Sequence, residues 1–264
     1  MNTLQLKGVC AAPWGQALLK DIAFTLQPGT VLGLAGPNGA GKSSLLQLIA
    51  GDIQPSTGQL TFCDRALTEW PPQERAQRLA FLPQMSLLSF PYTVEEVVRL
   101  GRIPHSSGYQ GDSDIVEQAL NLTDTASLRH RLYTQLSGGE KQRTQLARIF
   151  AQVLGQESLS GSLLLLDEPT SALDLAHQQL VLMATHQLAM RGCALVVVIH
   201  DLNLMASIAD QILVLDNGCQ VAYGSPEQVF TTTLFKEVFG VDVTVGRHPQ
   251  EGYPMITPLR PALR

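Results

Sequence analysis

The apolar run Val31–Ala35 is followed at once by Gly36, Pro37, Asn38, Gly39, Ala40, Gly41, Lys42, Ser43 and Ser44, and then by a helical pattern, Ser44–Ala50, that closes at Gly51. Nothing else in the chain constrains its fold so tightly. A buried strand must stop at a glycine-rich turn from which a helix departs, which is the context that gives G-x-x-x-x-G-K-[ST] its meaning. Gly36, Gly39 and Gly41 let the backbone turn sharply and aim its N–H groups at phosphate oxygens. Lys42 then reaches the β- and γ-phosphates, and the Ser43 hydroxyl takes one coordination position on Mg²⁺. The segment reads as a binding site for a nucleoside triphosphate.

The surrounding pattern supplies a core for that site. Strand-like Leu79–Leu82, Leu163–Leu166 and Ala194–Ile199 alternate with helical Gly138–Val153 and His177–Ala189. Such alternation predicts a largely parallel α/β sheet. Leu4–Val9, Ile22–Leu26 and Gln59–Phe62 alternate in polarity over shorter connections and predict an antiparallel β portion beside the phosphate loop. From Gln84 to about Leu154 no strand pattern occurs, which predicts a helical subdomain. There Thr93 and Glu96 form a capping box, with Gly101 as the expected end of that helix. Asp216-Asn-Gly218 reads as a hairpin turn between Gln211–Leu215 and Gln220–Tyr223. The remainder is Pro-rich and poorly periodic, and the 264 residues read as one cassette: core 1–84 and 155–264, helical subdomain 85–154.

Composition excludes several classes of function. A net charge of −5 with scattered Lys and Arg offers no basic stripe for nucleic acid. The longest apolar runs are far below the roughly 18 to 20 residues that span a bilayer. Met1–Gly8 has neither the basic start nor the apolar stretch of a signal peptide, so a cytosolic location is expected. Cys10, Cys63, Cys193 and Cys219 are widely spaced, which argues for reduced core thiols and against zinc or a redox dithiol.

A second set of residues falls at strand ends. Leu163–Leu166 runs into Asp167 and Glu168, and the C-terminal edge of an α/β sheet is where such folds bind ligands. Asp167 is the candidate to assist Mg²⁺, and Glu168 to hold an attacking water and accept its proton. Ser137, Gly138 and Gly139 precede a long helix whose N-terminus suits a phosphate, although the same residues serve a plain capped start. His200 follows an apolar strand at the same sheet edge, where a histidine orients a water or simply caps the next helix. Gln84 carries a neutral amide able to contact Mg²⁺ or water. Trp14 either stacks on a base or fills the core.

Together these motifs resemble the ATP-binding cassette family, the nucleotide-hydrolysing subunits of ABC transporters, over most of the chain. The resemblance implies a P-loop NTPase (RecA-like) core with an antiparallel β portion and an inserted helical subdomain. Leu136–Arg143 looks like the family signature, so Ser137, Gly138, Gly139 and Glu140 would face the ATP held by a second subunit. Ser171, Ala172, Leu173 and Asp174 look like its D-loop, Gln84 its Q-loop glutamine and His200 its switch histidine. Trp14 resembles the aromatic residue that stacks on adenine. The implied assembly is a homodimer under two transmembrane permease subunits at the cytoplasmic face of a bacterial inner membrane, with Gln84 at the joint between lobes. Phe90–Arg102 is similar to importers of iron-siderophores, haem and vitamin B12. Gly101–His105, Ala172–Gln179 and Arg247–Pro249 look most like hemin-import ATPases, fed indirectly by a periplasmic haem-binding protein. The competing reading, a soluble ABC-type ATPase of repair or translation, usually carries coiled-coil insertions or paired cassettes, and this sequence has neither. His105, His177, His186 and His248 read as surface residues, not haem ligands.

Overall fold

The computed structural model describes residues 2–13, 15, 17–84, 88–156 and 158–260. Its strands are β1 (Leu4–Ala11), β2 (Leu19–Leu26), β3 (Val31–Ala35), β4 (Thr57–Phe62), β5 (Arg65–Ala66), β6 (Leu79–Leu82), β7 (Leu163–Asp167), β8 (Ala194–Val198), β9 (Gln211–Asp216), β10 (Cys219–Gly224), β11 (Val243–Arg247) and β12 (Pro254–Pro258). The helices are α1 (Lys42–Ala50), α2 (Pro72–Ala76), α3 (Val94–Arg99), α4 (Gly108–Leu122), α5 (Gly138–Val153), α6 (Leu175–Met190), α7 (Leu202–Ala206), α8 (Pro226–Val229) and α9 (Thr232–Phe239).

Ten strands make one sheet in the order β5-β4-β1-β2-β10-β9-β3-β8-β7-β6. From β9 through β3, β8 and β7 to β6 each neighbour is parallel. On the other side β1, β2, β4 and β5 pair antiparallel. The expected division into a parallel core and an antiparallel portion therefore exists within a single sheet. Every residue of β3, β7 and β8 is buried, as strands covered on both faces must be. Leu164, Leu166, Leu195 and Val197 pack into the apolar cluster that holds α5 and α6. Leu163, Leu165, Val196 and Val198 alternate to the opposite face, where α1 packs.

Between β6 and β7 no strand occurs among the described residues, and α3, α4 and α5 pack on one another. Thr93 caps α3 as expected. Its hydroxyl accepts from the Glu96 N–H at 3.3 Å, and the Glu96 carboxylate accepts from the Thr93 N–H at 2.7 Å.

Three expectations need correction. Gly101 does not stop α3, because a 3₁₀ turn runs on through it from Leu100 to Arg102. Its role is close approach: a Cβ there would lie 2.1 Å from the Arg148 carbonyl oxygen of α5. The segment after β10 is more ordered than its weak periodicity suggested. Thr231 caps α9, and β11 pairs antiparallel with β12. Of the four cysteines only Cys193 is buried, while Cys10, Cys63 and Cys219 are partly exposed. Among the described residues no helix is long and apolar enough to cross a membrane.

Candidate active site

The C-terminal ends of β3, β7 and β8 open into a cavity of about 780 Å³. Lys42, Ser43, Gln84, Asp167, Glu168 and His200 all line it, so one site gathers residues from four separate stretches of chain. Gly36 and Gly41 show why this turn needs glycine. Gly36 has φ 143°, and a Cβ on it would sit 2.1 Å from the Leu215 carbonyl oxygen of β9. Gly41 occupies the N-cap of α1 at φ 103° with no side-chain cap, so the first N–H groups of the helix face the cavity mouth without a side-chain partner. Lys42 Nζ donates to the carbonyls of Gly36 and Pro37 at 2.7 and 2.8 Å, folding back along the turn. Burial pushes its pKa down, against the opposing pull of Asp167 and Glu168.

Asp167 ends β7 with only 3 % of its surface exposed. Burial raises its pKa, an effect opposed first by the Ser43 hydroxyl, which donates to Oδ2 at 2.9 Å. The next residue, Glu168, has φ 54°, a left-handed conformation that costs a residue with a side chain of order 1–3 kcal/mol. Its Oε1 accepts from Gln84 Nε2 at 2.8 Å and lies 2.6 Å from His200 Nε2. Gln84 and His200 thus meet at one carboxylate oxygen of Glu168, whereas Lys42 bonds the Gly36 and Pro37 carbonyls instead. Asp201 begins α7 as its N-cap, accepting from the N–H groups of Asn203 and Leu204. Capping of α7 thus falls to Asp201, and His200 is available for the carboxylate.

Ser137 caps α5 in a full capping box: its hydroxyl accepts from the Glu140 N–H at 3.3 Å and Glu140 accepts from the Ser137 N–H at 2.8 Å. That bond to Ser137 leads the effects holding the Glu140 carboxyl below its ordinary range, with Arg131 adding to it. Both readings of the segment are compatible, since a capping hydroxyl still has its own proton to donate. Ser137, Gly138, Gly139 and Glu140 line a second cavity of about 570 Å³ together with Ala172, Leu173 and Asp174. None of these residues lines the phosphate-loop cavity. Within one chain the two halves of the motif set therefore occupy different cavities. Ser171 turns inward, its hydroxyl donating to the Glu168 carbonyl at 2.9 Å, and Asp174 caps α6 through the His177 N–H at 2.9 Å.

Trp14 lies outside the described residues. Sequence reasoning missed Lys20, Asn217 and Gly218, which also line the phosphate-loop cavity. The hairpin turn docks there because Gly218 N–H donates to the Ala40 carbonyl at 3.0 Å. The Asp-Asn-Gly turn itself was legible, but its contact with a loop so distant in sequence carried no local signal.

Comparison with known proteins places the chain in a family. A family model described as ABC transporter matches residues 19–171. Hemin import ATP-binding protein HmuV of Pseudomonas entomophila is 50 % identical over 253 residues, covering 96 % of this chain and 98 % of that protein. HmuV of Gloeobacter violaceus is 45 % identical over 258 residues, covering 97 % and 94 %. A solved chain of an ABC transporter in an inward-facing conformation superposes with a TM-score of 0.80 at 27 % identity, covering 98 % of each chain. A solved ATP-binding subunit of an ABC transporter, 23 % identical over 86 % of this chain and 91 % of its own, shares the fold with a TM-score of 0.76. The family match and the near full-length relatives show that the chain belongs to the ABC transporter family as an ATP-binding, ATP-hydrolysing member.

Proposed function

We propose that this chain is the ATPase subunit of a bacterial haem importer, acting as a pair of copies bound to two permease subunits at the cytoplasmic face of the inner membrane. Identity of 50 % and 45 % to HmuV proteins over nearly the full length supports the cargo assignment. A periplasmic haem-binding protein delivers the cargo to the permease, and this chain need not touch haem.

The site residues have the following roles. N–H groups of the Gly36–Ser43 turn and the start of α1 cradle the phosphates, and Lys42 turns from its carbonyls toward the β- and γ-oxygens. Mg²⁺ suits the pair of hard oxygen donors at Ser43 and Asp167, a buried carboxylate held by one hydroxyl, with the Gln84 amide oxygen as a further ligand. When bound, it would offset charge on the phosphate oxygens. Glu168 takes a proton from the attacking water. Because Gln84 and His200 both engage Oε1, the water is assigned to the other carboxylate oxygen. Trp14 is assigned to stack on adenine from its resemblance to the family's aromatic residue.

The separation of the two cavities supports a site shared between copies, with Ser137 and Gly139 of one chain closing over ATP held by the other. On this reading residues 85–154 form a lobe that moves against the core, and Gln84, at the boundary, senses nucleotide through its bond to Glu168. The test is transport. With the permease of the neighbouring gene in lipid vesicles, ATP-driven uptake should occur with haem presented on its binding protein, and not with a ferric siderophore or cobalamin. Uptake of either of those in place of haem would overturn the cargo, and ATPase activity indifferent to all three would overturn the partner.

A further inference from the structure

We propose that Gln142 is a positioning residue for hydrolysis: from the helix that begins at Ser137, its side-chain amide holds the strained backbone of Glu168. The inference rests on Glu168 being the general base. The Glu168 carbonyl receives three donors. Two are from Ser171, the hydroxyl at 2.9 Å and the N–H at 3.2 Å, and these travel with the same short loop. The third is Gln142 Nε2 at 3.1 Å, from a helix 26 residues away in sequence. Glu168 N–H in turn donates to the Val198 carbonyl of β8 at 3.0 Å.

A residue at φ 54° keeps that conformation only if its surroundings hold the peptide groups on both sides of its Cα. Here the sheet holds the N–H side, and α5 helps hold the carbonyl side. Gln142 lies one helical turn beyond Gly138, so a displacement of α5 that moves the Ser137 turn also moves this donor. Closure of the Ser137 turn on a partner's nucleotide would thus reach Glu168 through α5 and the single hydrogen bond from Gln142. Gln142 touches neither nucleotide nor water on this account, so ATP binding should not depend on it.

The experiment compares ATP turnover of the full chain with its permease in lipid vesicles. Gln142→Met keeps the length and helix propensity but lacks a donor, and Gln142→Lys keeps a donor at similar reach. Gln142→Met should lower kcat about tenfold, less than loss of a donor in direct contact with the reacting group, and leave KM within about twofold. Gln142→Lys should restore at least half of the lost rate. Wild-type kcat in Gln142→Met, a proportionate rise in KM, or no rescue by Lys would each overturn the proposal. Glu168→Gln measured alongside separates the two readings. If that variant turns over normally the general-base assignment fails. If it is inactive while Gln142→Met turns over normally, only the role of Gln142 fails.

Discussion

Substituting Ser137 by Asp separates the helix-capping role of this residue from its role against a phosphate. Ser137 accepts from the Glu140 N–H at 3.3 Å, and Asp is at least as good an N-cap. A negative charge at the start of the 16-residue α5 also favours the helix dipole by about 0.3–1 kcal/mol. The fold should therefore lose nothing. Against a γ-phosphate the same carboxylate is repelled: two unit charges about 4 Å apart at an effective dielectric constant near 20 interact by about 4 kcal/mol, or about a thousandfold in a rate. Ser137→Ala should lose about 1 kcal/mol of cap, near 2 °C of melting temperature in a chain of this length, together with the hydroxyl donor. Calorimetry and phosphate release on the same preparations decide the matter. Ser137→Asp with wild-type melting and turnover reduced by about three orders of magnitude is the expected pair of results. Normal turnover in Ser137→Asp would refute the phosphate-facing role and leave only a helix cap.

Gly101→Ala should destabilise the protein by about 1–3 kcal/mol, because its Cβ would press on the Arg148 carbonyl, and a melting curve unchanged within 1 °C would refute that packing. His105 Nε2 lies 2.7 Å from the Gln152 carbonyl, and burial, with the Arg102 charge adding to it, depresses its pKa against the pull of that bond and of Asp112. Since the unfolded chain then binds the proton more readily, its contribution is fully present above about pH 6.5 and lost as pH falls through the folded value. Denaturant titrations at pH 8 and 5.5 should show wild type losing more stability than His105→Gln, and equal losses would contradict this.

Much of the site was legible because its pieces are local. The Gly36–Ser44 turn, the acid pair after β7 and the capping boxes at Thr93 and Ser137 each declare themselves within a few residues of sequence. Helix α5 spans Gly138–Val153 as its periodicity predicts. Most of the failures are contacts between distant segments. Gly101 looked like a helix stop because glycine at a helix end usually is one, and only the approach of α5 reveals its other use. The β11–β12 hairpin lacks clean alternation because its strands are only partly buried. Gln142 stood inside the recognised motif, yet its bond to the Glu168 carbonyl depends on how α5 lies across the end of β7.

The most direct measurement is ATP binding and hydrolysis by Glu168→Gln beside wild type, with haem delivered to the reconstituted complex. The amide keeps the shape and the acceptor for Gln84 but takes no proton, so affinity for ATP should hold within a few-fold while turnover falls by about 10²–10⁴ and haem no longer stimulates it. Turnover near the wild-type rate would remove Glu168 as the base and with it the account of how this chain drives transport.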